Sequence, residues 1–207
     1  RGSKRLAGQV ASFTSDIWTA RATACQVCFS CEGAIITCDD CGCRVHAACY
    51  GIEHEVAHPA AATVGITTRR AQARTGFRCQ PCAVGVVDAA RVCFLCPEPG
   101  GVLKRSRDGR WAHVACATFC PGIFEEEGVV CGAEELPQKS WTTRCVICGT
   151  NGGACLECEV PNCRVSFHVG CALRRSAGVR LDLTCDGDRM KCTVLCARHA
   201  QEGALPG

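Results

Sequence analysis

Apolar positions along this chain come in short pieces cut by cysteine, glycine and charge. No run approaches the roughly 18 apolar residues of a membrane-spanning helix. The opening RGSKRLAGQVASFTSDIW has no continuous apolar stretch of the length a secretion signal needs. The elements the pattern predicts are small. CEGAIITC reads as a hairpin ahead of Cys38; CATFCPG, from Cys116, reads as a short helix stopped by Pro121; CALRRSAGV, from Cys171, reads as a short helix ended near Gly178. Aromatic residues are 5% of the chain, thin for one large core. Several small modules, each with its own staple, are therefore expected.

Composition names the staple. Of 207 residues 23 are cysteine, and the net charge is +3. So much cysteine means a disulfide scaffold or a metal scaffold. With no secretion signal in view, a reducing compartment and metal ligation are the expectation.

Cys-x-x-Cys followed by His-x-x-Cys occurs three times: Cys25, Cys28, His46, Cys49; Cys93, Cys96, His113, Cys116; and Cys145, Cys148, His168, Cys171. On this composition a given histidine has a cysteine three residues later about one time in nine, whereas three of the six histidines do. The spacing suits zinc, which takes four tetrahedral thiolate or imidazole ligands. A Cys-x-x-Cys turn supplies two, and His-x-x-Cys at the start of a helical turn supplies two more from one face. The first and third repeats carry a second, interleaved set: Cys38, Cys41, Cys79 and Cys82, then Cys158, Cys163, Cys196 and His199. Interleaving predicts two metals per module in a cross-brace, with the middle repeat a one-metal knuckle. The expected total is five structural zinc ions.

Cys31, Cys43, Cys120, Cys131, Cys155, Cys185 and Cys192 are left as packing residues. Two other registers exist, since Cys28 with Cys31 and Cys155 with Cys158 are also Cys-x-x-Cys pairs. Cys25 with Cys28 is preferred because CEGAIITC then reads as the hairpin.

This order of ligands resembles the PZP module, a PHD finger, a zinc knuckle and an extended PHD finger, of bromodomain-and-PHD scaffolds in histone acetyltransferase complexes and related chromatin proteins. CDDCGCRVHAACYG and TGFRCQPC match the first finger. CFLCPEPGGVLKRSRDGRWAHVACA matches the knuckle, and SWTTRCVICGTNGGACLECEVPNCRVSFHVGCA the second finger. The resemblance implies a small zinc-stabilised α+β fold: two cross-brace fingers joined by a Cys-Cys-His-Cys knuckle and packed as one compact unit. Residues 1–22 are expected to be a flexible segment, 23–84 the first finger, 90–122 the knuckle and 140–202 the second finger. One departure is a long insertion at 50–76, holding His54, His58, Arg69, Arg70 and Arg74, where relatives have a short loop.

With four protein ligands at each metal, no position is left for substrate, and no catalytic set is apparent, so no enzyme is expected. A RING-like ubiquitin ligase is the rival. The common RING has its histidine fourth among eight ligands, whereas His46 and His168 are fifth, and Phe77 stands where PHD fingers carry an aromatic. The resemblance implies a nuclear chromatin reader of the histone H3 N-terminal tail, which would add a strand to Ala34, Ile35, Ile36 and Thr37. Its free amine would sit near Thr75 and Gly76, and Glu32, Asp39 and Asp40 would face its basic side chains. Arg44 replaces the tryptophan of methyl-lysine readers, so an unmodified tail is expected. Trp111 and Trp141 match structural positions. Lys104, Arg105, Arg107 and Arg110 in the knuckle, before and after Gly109, are candidates for nonspecific DNA contact, while Glu125–Glu127 could receive a basic tail. The alternative is an adaptor that docks other subunits of a chromatin-modifying complex.

Overall fold

The structure is a computed structural model, and it describes residues 11–13, 24–52, 76–175, 177–186 and 189–203. His54, His58, Arg69, Arg70, Arg74 and Thr75 lie outside them.

Short strands and single helical turns follow from the ligand spacing. In the first finger β2 (Ile35–Thr37) pairs antiparallel with β3 (Arg44–His46), and Cys38 N–H donates to the Cys43 carbonyl at 2.8 Å to close the hairpin. Gly51, at φ 65°, ends the 3-10 turn Ala48–Tyr50, and α1 (Gln80–Ala83) carries Pro81 in its first turn, where no donor is needed. The knuckle repeats the motif with β4 (Leu103–Arg105), β5 (Trp111–His113) and α2 (Val114–Phe119). A second hairpin, β6 (Phe124–Glu126) with β7 (Val129–Cys131), docks on it through a bridge from Ser106 to Val130. After α3 (Gln138–Thr142) the second finger has β8 (Cys155–Glu157), β9 (Ser166–His168) and α4 (Val169–Arg174). It is extended by a longer hairpin, β10 (Arg180–Asp186) with β11 (Arg189–Leu195), and closes on α5 (Ala197–Gln201).

The small α+β fold and the three-part packing are those expected. Both predicted helices form; α2 stops two residues before Pro121, and α4 ends at Arg174, four residues short of Gly178. His113 and His168 do not start those helices. Each is extended, with ψ of 134° and 141°, and ends its strand, so the helix after it brings up only the cysteine.

Two boundaries need correction. Within 1–22, expected to be flexible, β1 (Ala11–Phe13) pairs antiparallel with β10, extending the second finger's hairpin to three strands. The insertion is also narrower than 50–76: Tyr50 is buried in the first finger, its ring edge-on to Phe77 at 5.5 Å, and its hydroxyl donates to the Leu103 carbonyl at 3.0 Å.

The core runs through the module boundaries. One cluster spans knuckle and second finger; the other spans the first finger together with Val102 and Val114 of the knuckle. Trp141 stacks on Phe94 at 6.1 Å, and Trp111 packs partly buried against the larger cluster. Where α2 and α4 meet, a Cβ on Gly170 would lie 2.3 Å from Cys96 Sγ. Gly170→Ala must therefore push the knuckle away from the second finger, and a loss of about 1–3 kcal/mol is expected from overpacking. Denaturant unfolding checks this; the same substitution at Gly152, which has open space around it, should change little.

Candidate metal centres and the surfaces around them

The structure assembles five groups of four ligand atoms, within each of which all atoms lie within 4.8 Å of one another. They are Cys25, Cys28, His46, Cys49; Cys38, Cys41, Cys79, Cys82; Cys93, Cys96, His113, Cys116; Cys145, Cys148, His168, Cys171; and Cys158, Cys163, Cys196, His199. These are the twenty side chains singled out from spacing. Cys31 and Cys155 take no part in any group, which settles the register.

The geometry fits zinc. With Zn–S of about 2.3 Å and Zn–N of about 2.0 Å, the edges of a tetrahedron run about 3.5–3.8 Å. Cys28 Sγ is 3.2 Å and Cys49 Sγ 3.6 Å from His46 Nδ1; Cys41 and Cys79 sulfurs are 3.6 Å apart; Cys158 and Cys196 are 3.3 and 3.4 Å from His199 Nδ1. Each histidine turns Nδ1 inward. In the knuckle, His113 Nε2 meets the Gly100 carbonyl, which fixes the proton on Nε2 and leaves Nδ1 for the metal.

Charge makes the same case. Hydrogen bonds from Cys28 and Cys49 push the Cys25 thiol down, while hydrogen bonds from Cys25 and Cys28 push the Cys49 thiol up. Thiols this crowded cannot all ionise without a cation among them. Backbone donors aim at the sulfurs: His46 N–H reaches Cys25 Sγ at 3.4 Å, His113 N–H reaches Cys93 Sγ at 3.2 Å, and Cys79 N–H reaches Cys38 Sγ at 3.3 Å. At the all-cysteine group, Arg91 Nη2 adds a cationic donor 3.2 Å from Cys82 Sγ. Neither Arg91 nor Glu98 could be read from the sequence. Glu98, 7% exposed, pairs with Arg175 at 2.7 Å, and Cys171 Sγ lies 3.4 Å from it, so it links the knuckle to the fourth group.

The leftover cysteines sort by burial. Cys120 is buried, and desolvation pushes its thiol up. The same cause pushes the thiols of Cys155 and Cys192 up to about 12. These are small apolar fillers. Cys131 is buried too, Cys31 is exposed, and the side chain of Cys185 lies outside the described residues.

The edge expected to take a peptide is half-buried in the first finger. β2 has β3 on one side and no strand on the other among the described residues. Hydrogen-bonded pairs alternate along an antiparallel ladder. Since Cys38 N–H bonds to Cys43, Ile36 faces Val45, and the backbone groups of Ile35 and Thr37 point outward. Bonds on the outer side agree with that phase: Asp39 N–H goes to the Phe77 carbonyl, and the Arg44 carbonyl accepts from Gln26. Of the three acids singled out, two are engaged with their own chain. Asp39 Oδ2 accepts from Gly76 N–H at 3.0 Å, and Asp40 pairs with Arg78 at 2.6 Å; Glu32 is exposed.

The knuckle's basic set needs one correction. Lys104 is not in an exposed turn. It lies in β4, 1% exposed, paired with Glu125 and with its ammonium 4.8 Å above the Tyr50 ring. Burial pushes its pKa down, against the pull of Glu125. It ties the first finger to the β6–β7 hairpin and cannot meet a phosphate. Arg105, Arg107 and Arg110 are exposed. Arg107 pairs with Glu126 at 3.0 Å, and Arg110 pairs with Asp108 and lies over the Phe94 ring at 4.1 Å.

Comparison with known proteins agrees with this geometry. Residues 91–199 match the family described as PHD-zinc-finger like domain. The crystal structure of the zebrafish PHF14 PZP aligns with a TM-score of 0.62 at 27% identity, covering 85% of this chain and 87% of that one. Mouse E3 ubiquitin-protein ligase Jade-2 is 34% identical over 189 residues, which are 86% of this chain and 20% of that protein. Histone H3-lysine(4) N-trimethyltransferase ATX1 of Arabidopsis thaliana is 32% identical over 191 residues, 86% of this chain and 16% of that protein. The chain spans about a fifth of the length of the first of these relatives.

Proposed function

The chain belongs to the PHD-zinc-finger-like domain family, and on that premise we propose that it is a nuclear chromatin reader whose first finger binds the unmodified N-terminal tail of histone H3. The observation that carries this reading is the outer edge of β2, against which no strand lies among the described residues, with the outward backbone groups of Ile35 at one end and the Asp39–Gly76 corner at the other. An extended peptide would gain affinity there from main-chain bonds, and its free terminal amine is assigned to a pocket near Thr75 and Gly76. Thr75, assigned to the amine pocket, adjoins that corner in sequence. Glu32 is the acid best placed to meet a basic side chain, because Asp39 and Asp40 already have partners. The five metals, taken as zinc, hold the fingers in shape and do no chemistry of their own. Ligase or methyltransferase activity, named for two relatives, belongs to proteins about five times longer.

The test is titration of the chain into labelled histone H3 tail peptides with a free or an acetylated N-terminus. Acetylation removes the amine's charge and two of its donors. A loss of about 1.5–3 kcal/mol, roughly ten- to hundredfold, is expected from charge-assisted hydrogen bonds. Equal binding would show that an internal segment of the tail, or another subunit, is the partner.

Duplex contact is the lesser reading, favoured by the exposed Arg105, Arg107 and Arg110 on one hairpin. With acids on two of the three, the field is weak. Changing all three to Ala should lower affinity for unrelated duplexes alike and flatten the salt slope by at most about one for each phosphate no longer neutralised. Binding at two salt concentrations checks this; unchanged slopes would clear the knuckle of DNA contact.

A further inference from the structure

Between α1 and Cys93 the chain crosses from the first finger to the knuckle with little apolar anchorage. Val84, Val87 and Val92 are each more than half exposed, and Ala89 and Ala90 are exposed as well. Side-chain burial therefore does little to fix this linker. Its backbone is nonetheless turned: Val86 N–H donates to the Pro81 carbonyl at 2.8 Å, Ala90 N–H to the Val87 carbonyl at 2.9 Å and Arg91 N–H to the Asp88 carbonyl at 3.1 Å. The Arg91 side chain, 17% exposed, ties the turns together. Nε donates to the Val86 carbonyl at 3.1 Å, and Nη2 donates to Cys82 Sγ at 3.2 Å. Asp88 also lies 3.3 Å from Nε, but its side chain is almost fully exposed, and such a pair is worth little.

The bond to sulfur is of the stronger kind. Four thiolates around a divalent ion leave the all-cysteine group a formal double negative charge; a histidine in place of one cysteine leaves each of the other four groups a single one. Cys38, Cys79 and Cys82 are buried, so solvent offsets little of that charge, and a cationic donor on a ligand sulfur offsets more. Cys82 is the last ligand of the first finger, and Arg91 stands two residues before Cys93, the first ligand of the knuckle. We propose that Arg91 pins the linker to the all-cysteine centre, so that metal held there and the fold of residues 84–92 support each other. The coupling is reciprocal: whatever factor the pinned linker adds to metal affinity, bound metal adds to the stability of the linker.

The role is one of positioning, since Arg91 acts on the metal only through Cys82. With the centre empty the guanidinium loses its anionic partner, and the exposed valines do not replace it. The linker therefore opens when one particular metal is lost. Other contacts join the two modules: the Tyr50 hydroxyl meets the Leu103 carbonyl, and the Gln80 side chain meets the backbone of Gly128 and Arg105. Removing Arg91 alone thus loosens the linker and leaves finger and knuckle packed. None of this depends on what the first finger binds.

The test uses the full chain with Arg91→Met, Arg91→Lys and, as a control, Asp88→Ala. Loaded with cadmium, the all-sulfur centre gives an NMR resonance apart from those of the four centres with a nitrogen ligand, so each kind is followed separately as EDTA is added. Arg91→Met should lower cadmium affinity at the all-sulfur centre by about ten- to hundredfold and leave the other four unchanged. Arg91→Lys, which keeps the charge and a donor, should recover most of that loss, and Asp88→Ala should match the parent. In the zinc-loaded protein, amide exchange at Val86 and Ala90 should quicken about tenfold or more in Arg91→Met, while Ile36, bonded to Val45, keeps its protection. A uniform loss at all five centres, unchanged affinity at the all-sulfur one, an equal loss in Asp88→Ala, or a linker that exchanges no faster in Arg91→Met overturns the proposal. Should Arg91→Met fail to load the centre at all, recovery in Arg91→Lys supports the pin, and failure of both variants overturns it.

Discussion

A strong chelator should unfold this chain completely and release five zinc ions per molecule. The reason lies in what the core is made of. In the first finger the buried cluster is Cys25, Val27, Cys38, Cys43, Val45, Tyr50, Cys79, Cys82, Val102 and Val114; half of it is cysteine, and four of those five are ligands. Without metal, those thiols are crowded and uncompensated, and few apolar side chains remain to hold strands of three residues together. Structural zinc sites contribute on the order of 10–16 kcal/mol each at neutral pH, whereas a whole domain is stable by about 5–15 kcal/mol. Loss of even one site should therefore be felt across the module it staples. Acid should act as the chelator does. As pH falls, protons compete for the thiolates and imidazoles, so metal affinity and folding fall together. Circular dichroism during chelation, with metal counted by native mass spectrometry, checks both statements. A chain that kept its fold without metal, or held only two or three ions, would contradict them.

Much of this was legible because the ligand chemistry is local and repeated. Cys25 to Cys28 and His46 to Cys49 are spacings set by one turn, and the same two hooks recur twice, so the sequence itself says which side chains meet. The interleaved groups were legible for the same reason. What escaped was set by partners far along the chain. Lys104 looks like part of a basic surface cluster, LKRSR, until β6 brings Glu125 to it and the first finger brings Tyr50. Ala11–Phe13 carries no signal that it will pair with β10, about 170 residues on. Glu98 looks like one more surface acid, yet Arg175 and Cys171 enclose it because Gly170 lets the knuckle approach α4 closely. Nor does a sequence carry the phase of a ladder: alternation alone gives no means of telling which of Ile35 and Ile36 offers its backbone outward. The hydrogen bond from Cys38 to Cys43 decides it.

That phase makes the tail site testable with proline. At Ile35 the N–H points away from β3, so Ile35→Pro removes a donor for an incoming strand and places a ring in its path, while the bonds between β2 and β3 remain. Proline is tolerated on edges of this kind, and Ala34 before it can adopt the extended conformation that proline requires. One lost main-chain bond is worth about 1 kcal/mol, and the steric block adds to it, so a fall in H3-tail affinity of about tenfold or more is expected. Ile36→Pro acts on the other side. It deletes the bond to Val45 inside the hairpin and leaves a buried carbonyl without its donor, a cost of about 1–3 kcal/mol to the fold of the finger. The pair therefore separates binding from folding. Ile35→Pro should retain five zinc ions and its thermal midpoint while losing the peptide; Ile36→Pro should lower the midpoint. Titration of both variants with the free-amine peptide, beside thermal melts, decides the matter. If Ile35→Pro binds as tightly as the parent, the tail does not add a strand to β2, and the exposed acids Glu32 and Glu127 become the places at which to look for a basic partner.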